Sequence, residues 1–242
     1  MPVFLRSIQL FEHTTSLGEG VAVIGIRTDS HINRPPATPF HADREYTARS
    51  TERTHRWLKR RRDWQAEHGT PGQPVVGSRQ DGTYQHRRAE SCQAVSESGV
   101  DGIAIGGTLG RDKAEMAEVL GFTVPNLPWE APKHLLGIGE IDDLMKGIRL
   151  GIDVFDCAVP TRLARHGMAL APDPETRFRM NLRRSDMVGD RLPLVEGCPC
   201  VACRDYDRDY INYISRSEEL TAVRLMVEHN LTYMEELMAG AR

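Results

Sequence analysis

The chain has 242 residues, of which 40% are hydrophobic and 27% charged, and its formal net charge is −3. This composition is typical of a globular protein with one large domain or two small ones. Its apolar runs all fall well short of the roughly 18 residues that a membrane span needs, so we expect no membrane association. The slight negative charge argues against a basic surface over the whole chain, so any nucleic-acid-binding surface must be local.

The N-terminal segment MPVFLRSIQL lacks the basic start, the apolar core and the small-residue cleavage site of a signal peptide. We therefore expect a cytoplasmic protein. In that reducing compartment, an odd set of five cysteines with three of them close together favours metal binding or chemistry over disulfides.

Five short runs rich in β-branched or small residues, each bounded by Gly, Pro or Asp, have the character of buried parallel strands. In chain order they are VAVIGI (21–26), PVVG (74–77), DGIAIGG (101–107), HLLGIG (134–139) and GIDVFDC (151–157). Between them lie four helical stretches: 42–67, 83–98, 111–120 and 140–150. This alternation predicts an α/β fold, with a parallel sheet or a (β/α) barrel. A closed barrel needs eight such units, so about five predict an incomplete one unless another chain supplies the rest.

The character of the chain changes after Pro160. Residues 161–197 are rich in Arg, Asp and Pro, and helical patterning returns from residue 205. We therefore predict a barrel portion over 1–160 and a second subdomain over 161–242.

The three clustered cysteines form the pattern C-x-C-x2-C at Cys198, Cys200 and Cys203, and His229 follows in a predicted helix. Three thiolates and one imidazole make a tetrahedral zinc set, and four protein ligands leave no open position, so one structural Zn²⁺ per chain is expected. The alternative is three buried thiols and a surface histidine.

This cysteine pattern, preceded by GIDVFDCAVPTRLARHG (151–167), resembles the tRNA-guanine transglycosylase (queuine tRNA-ribosyltransferase) family, whose members exchange a guanine in tRNA for a 7-deazaguanine base. Further stretches agree in the same order: RSIQLFE (6–12), GQPVVGSRQDGTYQHRRAES (72–91), KHLLGIGEIDDL (133–144) and EHNLTYMEELM (228–238). The resemblance implies a (β/α)8 TIM-barrel type of fold with a C-terminal zinc-binding subdomain. It also implies that the first barrel strands belong to a longer N-terminal part.

The resemblance assigns the nucleophile to Asp156. Breaking an N-glycosidic bond in place requires a carboxylate at the anomeric carbon of the ribose, which forms a covalent intermediate or stabilises positive charge there. The alternative is a strand-end aspartate that caps the next turn. Asp153 lies three residues earlier, on the opposite face of an extended strand, so the two are not a catalytic pair.

A base-binding pocket is also implied by the resemblance. A purine-like edge is read by carboxylate, amide and backbone groups, and glycine lets the backbone approach closely. The residues that match the family's pocket are Asp29, Gln80, Gly106, Gly107, Leu136 and Gly137. Without that context, Gln80 could be a turn amide and the glycines could be strand-to-loop hinges.

Three departures from the family pattern bear on activity. Asp81 stands where the family usually continues with Gly-Gly, and SHINRPPATP after Asp29 is longer than the usual form. The DSGGFQ-like motif that carries the family's general acid/base aspartate does not occur in these 242 residues. A partner chain could supply it, or the protein could be a degenerate or truncated homologue.

In the segment PTRLAR (160–165), Arg162 and Arg165 match arginines with which members of the family contact the anticodon loop of tRNA. Arginine suits this role because a guanidinium group can bind phosphates and stack on unpaired bases. A second basic run, KRRR (59–62), is more typical of a solvated helix face.

The resemblance as a whole leads us to expect a pentosyltransferase that takes tRNA and guanine or a 7-deazaguanine base, as a homodimer or with a partner chain. The alternatives are a non-catalytic subunit that binds RNA or a partner, and a relative that acts on DNA.

Overall fold

The computed structural model describes residues 42–69, 74–79, 81–107 and 109–241. The chain divides into two compact units. The first comprises the described residues before 139 together with 142–156, and the second comprises 139–141 and the described residues from 157 onward.

A four-stranded parallel sheet forms the centre of the first unit. Its strands, in spatial as in chain order, are β1 (Val76–Arg79), β2 (Gly102–Ile105), β3 (Lys133–Leu135) and β4 (Val154–Phe155). The register places the last residues of the four strands side by side: Arg79, Ile105, Leu135 and Phe155. The predicted parallel α/β arrangement is confirmed for four of the five predicted strands. The fifth, VAVIGI (21–26), lies outside the described residues.

One helix precedes β1 and others separate the strands along the chain, all close to their predicted positions. They are α1 (Arg44–His68), α2 (Gln85–Glu97), α3 (Lys113–Thr123) and α4 (Ile141–Arg149). Helix α3 begins where the carboxylate of Asp112 accepts hydrogen bonds from the N–H groups of Ala114 and Glu115, as an N-cap should. The fully buried β2 strand and the apolar faces of α2 and α3 supply core residues, among them Ile105, Val95 and Leu120.

Three charged side chains without exposed surface, Arg79, Asp81 and Arg88, lie beside the end of β1. Arg79 Nη2 donates to Asp81 Oδ2 over 2.9 Å, and the hydroxyl of Thr51 donates to Asp81 Oδ1 over 3.2 Å. Arg88 Nε donates to the carbonyl of Gly82 over 2.5 Å. Burial lowers the pKa of Arg88 to about 10, although the nearby Asp81 carboxylate opposes that change. One buried carboxylate thus pairs with Arg79 and lies close enough to Arg88 to oppose the effect of burial on its pKa.

We expect Asp81→Asn to lower the free energy of unfolding by about 3–5 kcal/mol, because it leaves buried guanidinium groups without their counter-charge. Urea unfolding followed by circular dichroism measures this change. Asp101→Asn is the matched control: Asp101 is exposed, and asparagine can still accept the hydrogen bond from the N–H of Val75. Equal unfolding midpoints for the two variants would contradict the expected role of Asp81.

The second unit combines helices with a short antiparallel hairpin. Its elements are α5 (Val159–Arg165), β5 (Met168–Leu170), β6 (Arg179–Asn181), α6 (Val201–Asp205), α7 (Arg208–Arg216) and α8 (Leu220–Gly240). An apolar core that includes Leu182, Leu194 and Leu225 joins them. Asn230 of α8 is buried, and its side chain accepts from the N–H of Leu170 over 2.7 Å and donates to the carbonyl of Pro160 over 2.9 Å. The Asn230 amide thus joins α8 to α5 and to β5.

Within the described ranges, none of the helices combines the length and the apolar character that crossing a membrane requires.

Candidate functional site

The segments that follow the four parallel strands contain most of the site residues predicted in the first unit. Because the strand ends are in register, these segments begin at one edge of the sheet, which is where α/β proteins bind ligands. Gly106 and Gly107 follow β2, Leu136 and Gly137 follow β3, and Asp156 follows β4. Gln80, which comes next after β1 in the sequence, and Asp29 lie outside the described residues.

Asp156 is 44% exposed, and it contacts the segment that follows β3. Its Oδ1 atom accepts a hydrogen bond from the backbone N–H of Gly137 over 3.2 Å. The same oxygen lies 2.9 Å from Nε2 of His134, whose side chain is 9% exposed. The carboxylate is therefore oriented by two groups of one strand and its loop, yet solvent and ligands can reach it.

Asp153, the other acid of this strand segment, has a different environment. One of its carboxylate oxygens accepts from the N–H of Lys133 over 2.8 Å, at the opposite end of β3 from Gly137. Asp153 therefore helps to join the beginnings of β3 and β4. Its carboxylate is used there, which agrees with the expectation that Asp153 and Asp156 are not a catalytic pair.

Gly106 and Leu136 lie against each other at the ends of β2 and β3. A Cβ atom built on Gly106 would lie only 2.8 Å from Cδ1 of Leu136, so the space beside this glycine is already filled. The Gly106 carbonyl also accepts from Arg88 Nη2 over 3.4 Å, and its N–H donates to the carbonyl of Arg79 over 2.9 Å. The buried charges beside β1 thus help to hold the backbone of Gly106 in place.

Gly137 requires glycine for its backbone conformation. Its φ is +75°, in the left-handed region, and among the described residues no heavy atom lies within 4 Å of a Cβ built there.

Gly137→Ala should therefore cost about 1–2 kcal/mol of stability through backbone strain alone. Gly121 of α3 is an equally open position with helical backbone, so Gly121→Ala should stabilise the chain by about 0.5–1 kcal/mol. Urea unfolding of the two variants compares them, and changes of the same sign would be inconsistent with this account.

Arg162 and Arg165 are exposed on α5 in the second unit. Three positions apart on a helix, they are neighbours on one face. Within the described part of the chain, neither guanidinium pairs with a carboxylate. Both are therefore available to an anionic ligand.

Cys198, Cys200, Cys203 and His229 converge in the second unit, with their ligand atoms all within 4.8 Å of one another. Nδ1 of His229 lies 3.7, 3.5 and 3.3 Å from the sulfur atoms of Cys198, Cys200 and Cys203 respectively. A tetrahedral zinc ion with Zn–S of about 2.3 Å and Zn–N of about 2.0–2.1 Å requires S···N separations of about 3.6 Å. The four side chains therefore fit a metal of this kind.

The orientation of His229 also fits a metal site. The side chain is fully buried, whereas the alternative interpretation requires a histidine on the surface. Its Nε2 donates to the carbonyl of Leu170 over 2.8 Å, which leaves Nδ1 without a proton and turned toward the three sulfur atoms. A backbone carbonyl that fixes the ring in this way is the usual partner of a metal-bound histidine.

The protein environment shifts the pKa values of the three thiols in different directions. The hydrogen bond with Cys203, together with burial, raises the pKa of Cys200 to about 12, whereas the hydrogen bond from Cys200 lowers the pKa of Cys203. Burial raises the pKa of Cys198. A metal ion binds the thiolate form, so its binding would release the protons that remain on these thiols.

Comparison with known proteins agrees with this geometry. The model of the queuine tRNA-ribosyltransferase family matches residues 26–242. The chain belongs to this family. It is 41% identical over 228 residues to the queuine tRNA-ribosyltransferase of Roseiflexus sp. (strain RS-1), an alignment that covers 90% of this chain and 57% of that protein. It is 38% identical over 205 residues to the enzyme of the same name from Halothermothrix orenii, over 84% of this chain and 53% of that protein.

The chain spans about half the length of the curated relatives it matches. The family has an α/β barrel fold, and the parallel sheet of the first unit agrees with that class. The family acts on tRNA in queuosine modification, and the Cys3His group fits the zinc binding expected of it.

Sequence reasoning missed His134. A single histidine inside an apolar strand, in KHLLGIG, is more often a core residue than part of a site. The sequence carries no signal for it, because its role depends on strand register: in the structure His134 is paired with Val154, two residues before Asp156, so the side chains of His134 and Asp156 lie on the same face of the sheet.

Proposed function

We propose that this chain carries the nucleophile and part of the base pocket of a tRNA-guanine transglycosylase. It would exchange guanine, at the anticodon wobble position, for queuine or its 7-deazaguanine precursor. The observation that carries the proposal is the position of Asp156, a partly exposed and hydrogen-bonded carboxylate at the same sheet edge as Gly106 and the peptide Leu136–Gly137.

The proposed reaction is a double displacement on the ribose. A carboxylate oxygen of Asp156 attacks C1′ of the target nucleotide, the C1′–N9 bond breaks, and its electron pair leaves with guanine, which takes up at N9 a proton from a general acid of a partner chain. The incoming base then gives its N9 proton back to that group and attacks C1′, and the ester bond to Asp156 breaks. The chain is left unchanged, so no redox cofactor is involved.

The base would lie against the strand ends beside Asp156. Gly107 would offer its backbone groups at close range, beside Gly106, whose own N–H and carbonyl are already hydrogen-bonded within the chain. The peptide between Leu136 and Gly137 would offer its carbonyl to the edge of the heterocycle, because its N–H donates to Asp156. The matching of Gln80 and Asp29 to the family pattern supports a place for both in the same pocket. Their side chains would read the edge of a guanine-like base.

The metal site would be structural, with Zn²⁺ held by three thiolates and the Nδ1 atom of His229.

We also propose that 1–160 belongs to the barrel and 161–242 to the zinc-binding subdomain, which the change of compact unit at residue 157 supports. Clustered, unbridged cysteines suit a reducing compartment, so the protein would act in the cytoplasm. It would act as a homodimer or with a partner chain.

An exchange assay tests this function. The purified chain would be incubated with tRNA and radiolabelled guanine, and we expect label in the acid-insoluble RNA. Duplex DNA in place of tRNA tests action on DNA. A zinc-replete chain that binds tRNA without exchanging guanine would instead be a non-catalytic subunit.

The salt dependence of tRNA binding tests the RNA surface. The double variant Arg162→Ala/Arg165→Ala should bind tRNA more weakly, and the slope of log K against log salt concentration should become less negative by roughly 1–2, because each phosphate contact contributes about 0.7–0.9. The control Arg60→Ala/Arg62→Ala removes two exposed arginines of α1. Filter binding between 50 and about 200 mM salt measures both slopes. Equal slopes for the two double variants would place the RNA contacts elsewhere.

A further inference from the structure

His134 is built into the sheet beside the proposed nucleophile. It lies on β3, paired in register with Val154 of β4, and its side chain is 9% exposed. Its Nε2 atom lies 2.9 Å from Oδ1 of Asp156. Strand pairing and burial together leave the imidazole little freedom, so the distance between these two atoms is fixed by the fold.

The chemistry of the two groups defines the direction of this hydrogen bond. An ionised carboxylate only accepts, so Nε2 must carry the hydrogen and donate it to Oδ1. The N–H of Gly137 donates to the same oxygen over 3.2 Å. One side chain and one backbone group therefore act on a single oxygen of Asp156.

We propose that His134 is a positioning residue that stabilises the ionised carboxylate of Asp156 relative to its ribosyl ester, and thereby sets the balance between free and covalently loaded enzyme. This inference rests on the proposed function, because it concerns the covalent step at Asp156.

The charge on Asp156 changes during the two displacements. When Asp156 attacks C1′ and the C1′–N9 bond breaks, the carboxylate loses its negative charge and becomes an ester. A hydrogen bond to an ionised acceptor is roughly twice as strong as one to a neutral acceptor, so the bond from His134 weakens in the ester. When the incoming base attacks C1′, the electron pair of the ester C–O bond returns to Asp156 and the bond from His134 regains its strength. His134 therefore favours release of the ribose and opposes accumulation of the intermediate.

Two substitutions separate the hydrogen bond from the shape of the side chain. His134→Phe keeps a planar ring and removes the donor, whereas His134→Gln keeps an amide N–H that can reach the position of Nε2. With saturating tRNA, we expect the ratio of covalent to free chain on a denaturing gel to rise about tenfold in His134→Phe, because the charge-dependent part of the hydrogen bond is lost. We expect His134→Gln to restore a ratio near that of the wild type. An unchanged ratio in His134→Phe would overturn the inference.

A second measurement needs neither turnover nor a folded variant of His134. In the ¹⁵N-labelled full chain, the ring nitrogen shifts of His134 should show a hydrogen on Nε2, and this preference should be lost in Asp156→Ala. A hydrogen on Nδ1 and none on Nε2 in the wild type would overturn the inference by itself. If the wild type shows the Nε2 hydrogen but forms no covalent adduct with tRNA, the proposed function is wrong, although the contact between the two side chains is real.

Discussion

Replacing Asp156 with asparagine is expected to lower guanine exchange by at least about 10³-fold, because an uncharged amide cannot form the ester to C1′. Asparagine has nearly the same shape, and its amide oxygen can still accept from His134 and from the N–H of Gly137, which hold Oδ1 in the native chain. The variant should therefore fold and bind tRNA like the wild type. Single-turnover exchange with labelled guanine, together with the adduct on a denaturing gel, measures both effects.

Asp153→Asn is the matched control for this experiment. Asp153 belongs to the same strand segment, but its carboxylate accepts from the N–H of Lys133 at the other end of β3, and asparagine can keep that hydrogen bond. This variant should retain most of the exchange activity. A loss of activity as large as that of Asp156→Asn would contradict the assignment of separate roles to the two aspartates.

Removal of the metal should have the second large effect. Cys200→Ala deletes a buried ligand, and structural zinc sites contribute about 10–16 kcal/mol in zinc-finger peptides, which equals or exceeds the stability of a typical domain. We expect the second unit to lose its fixed structure, because the ligands join α8 to the 198–203 loop and, through His229, to Leu170 of β5. Zinc content and limited proteolysis measure the outcome, with cleavage expected after residue 157.

Cys157→Ala is the control for this variant, since Cys157 lies in the same unit and outside the ligand set. It should bind one equivalent of zinc and resist proteolysis like the wild type. Treatment of the wild type with a chelator should reproduce the effect of Cys200→Ala. A chelated chain that melts at the wild-type temperature would show that the metal site does not hold this unit together.

Much of the fold was predictable because buried parallel strands have a simple sequence pattern. DGIAIGG and GIDVFDC are short β-branched runs between glycine and aspartate, and both form strands of the parallel sheet. Since parallel strands end at one edge, the residues after them had to converge there. The strand pattern and the family resemblance therefore predict Gly106, Gly137 and Asp156 at one edge of the sheet.

The buried charges were not predictable in the same way. Arginine is rarely fully buried, so nothing in GSRQDGTYQHRR distinguishes Arg79 and Arg88 from surface residues. Asp81 looked like a departure from the family's Gly-Gly, whereas the structure shows it as the counter-charge of Arg79. The burial of Arg79 and Arg88 depends on helix α2 packing against β1, which is tertiary information. His134 escaped notice for a related reason, since its importance comes from a partner on the neighbouring strand.

The most direct test of the account is the chemical identity of the attachment between chain and tRNA. After denaturation, digestion with ribonuclease and trypsin should release the peptide 150–162, because trypsin cleaves after Arg149 and Arg162. We predict that mass spectrometry finds a ribosyl group on this peptide and that fragmentation places it on Asp156. A ribosyl group on Asp153 or on another peptide, or no modified peptide from a chain that exchanges guanine, would contradict the account.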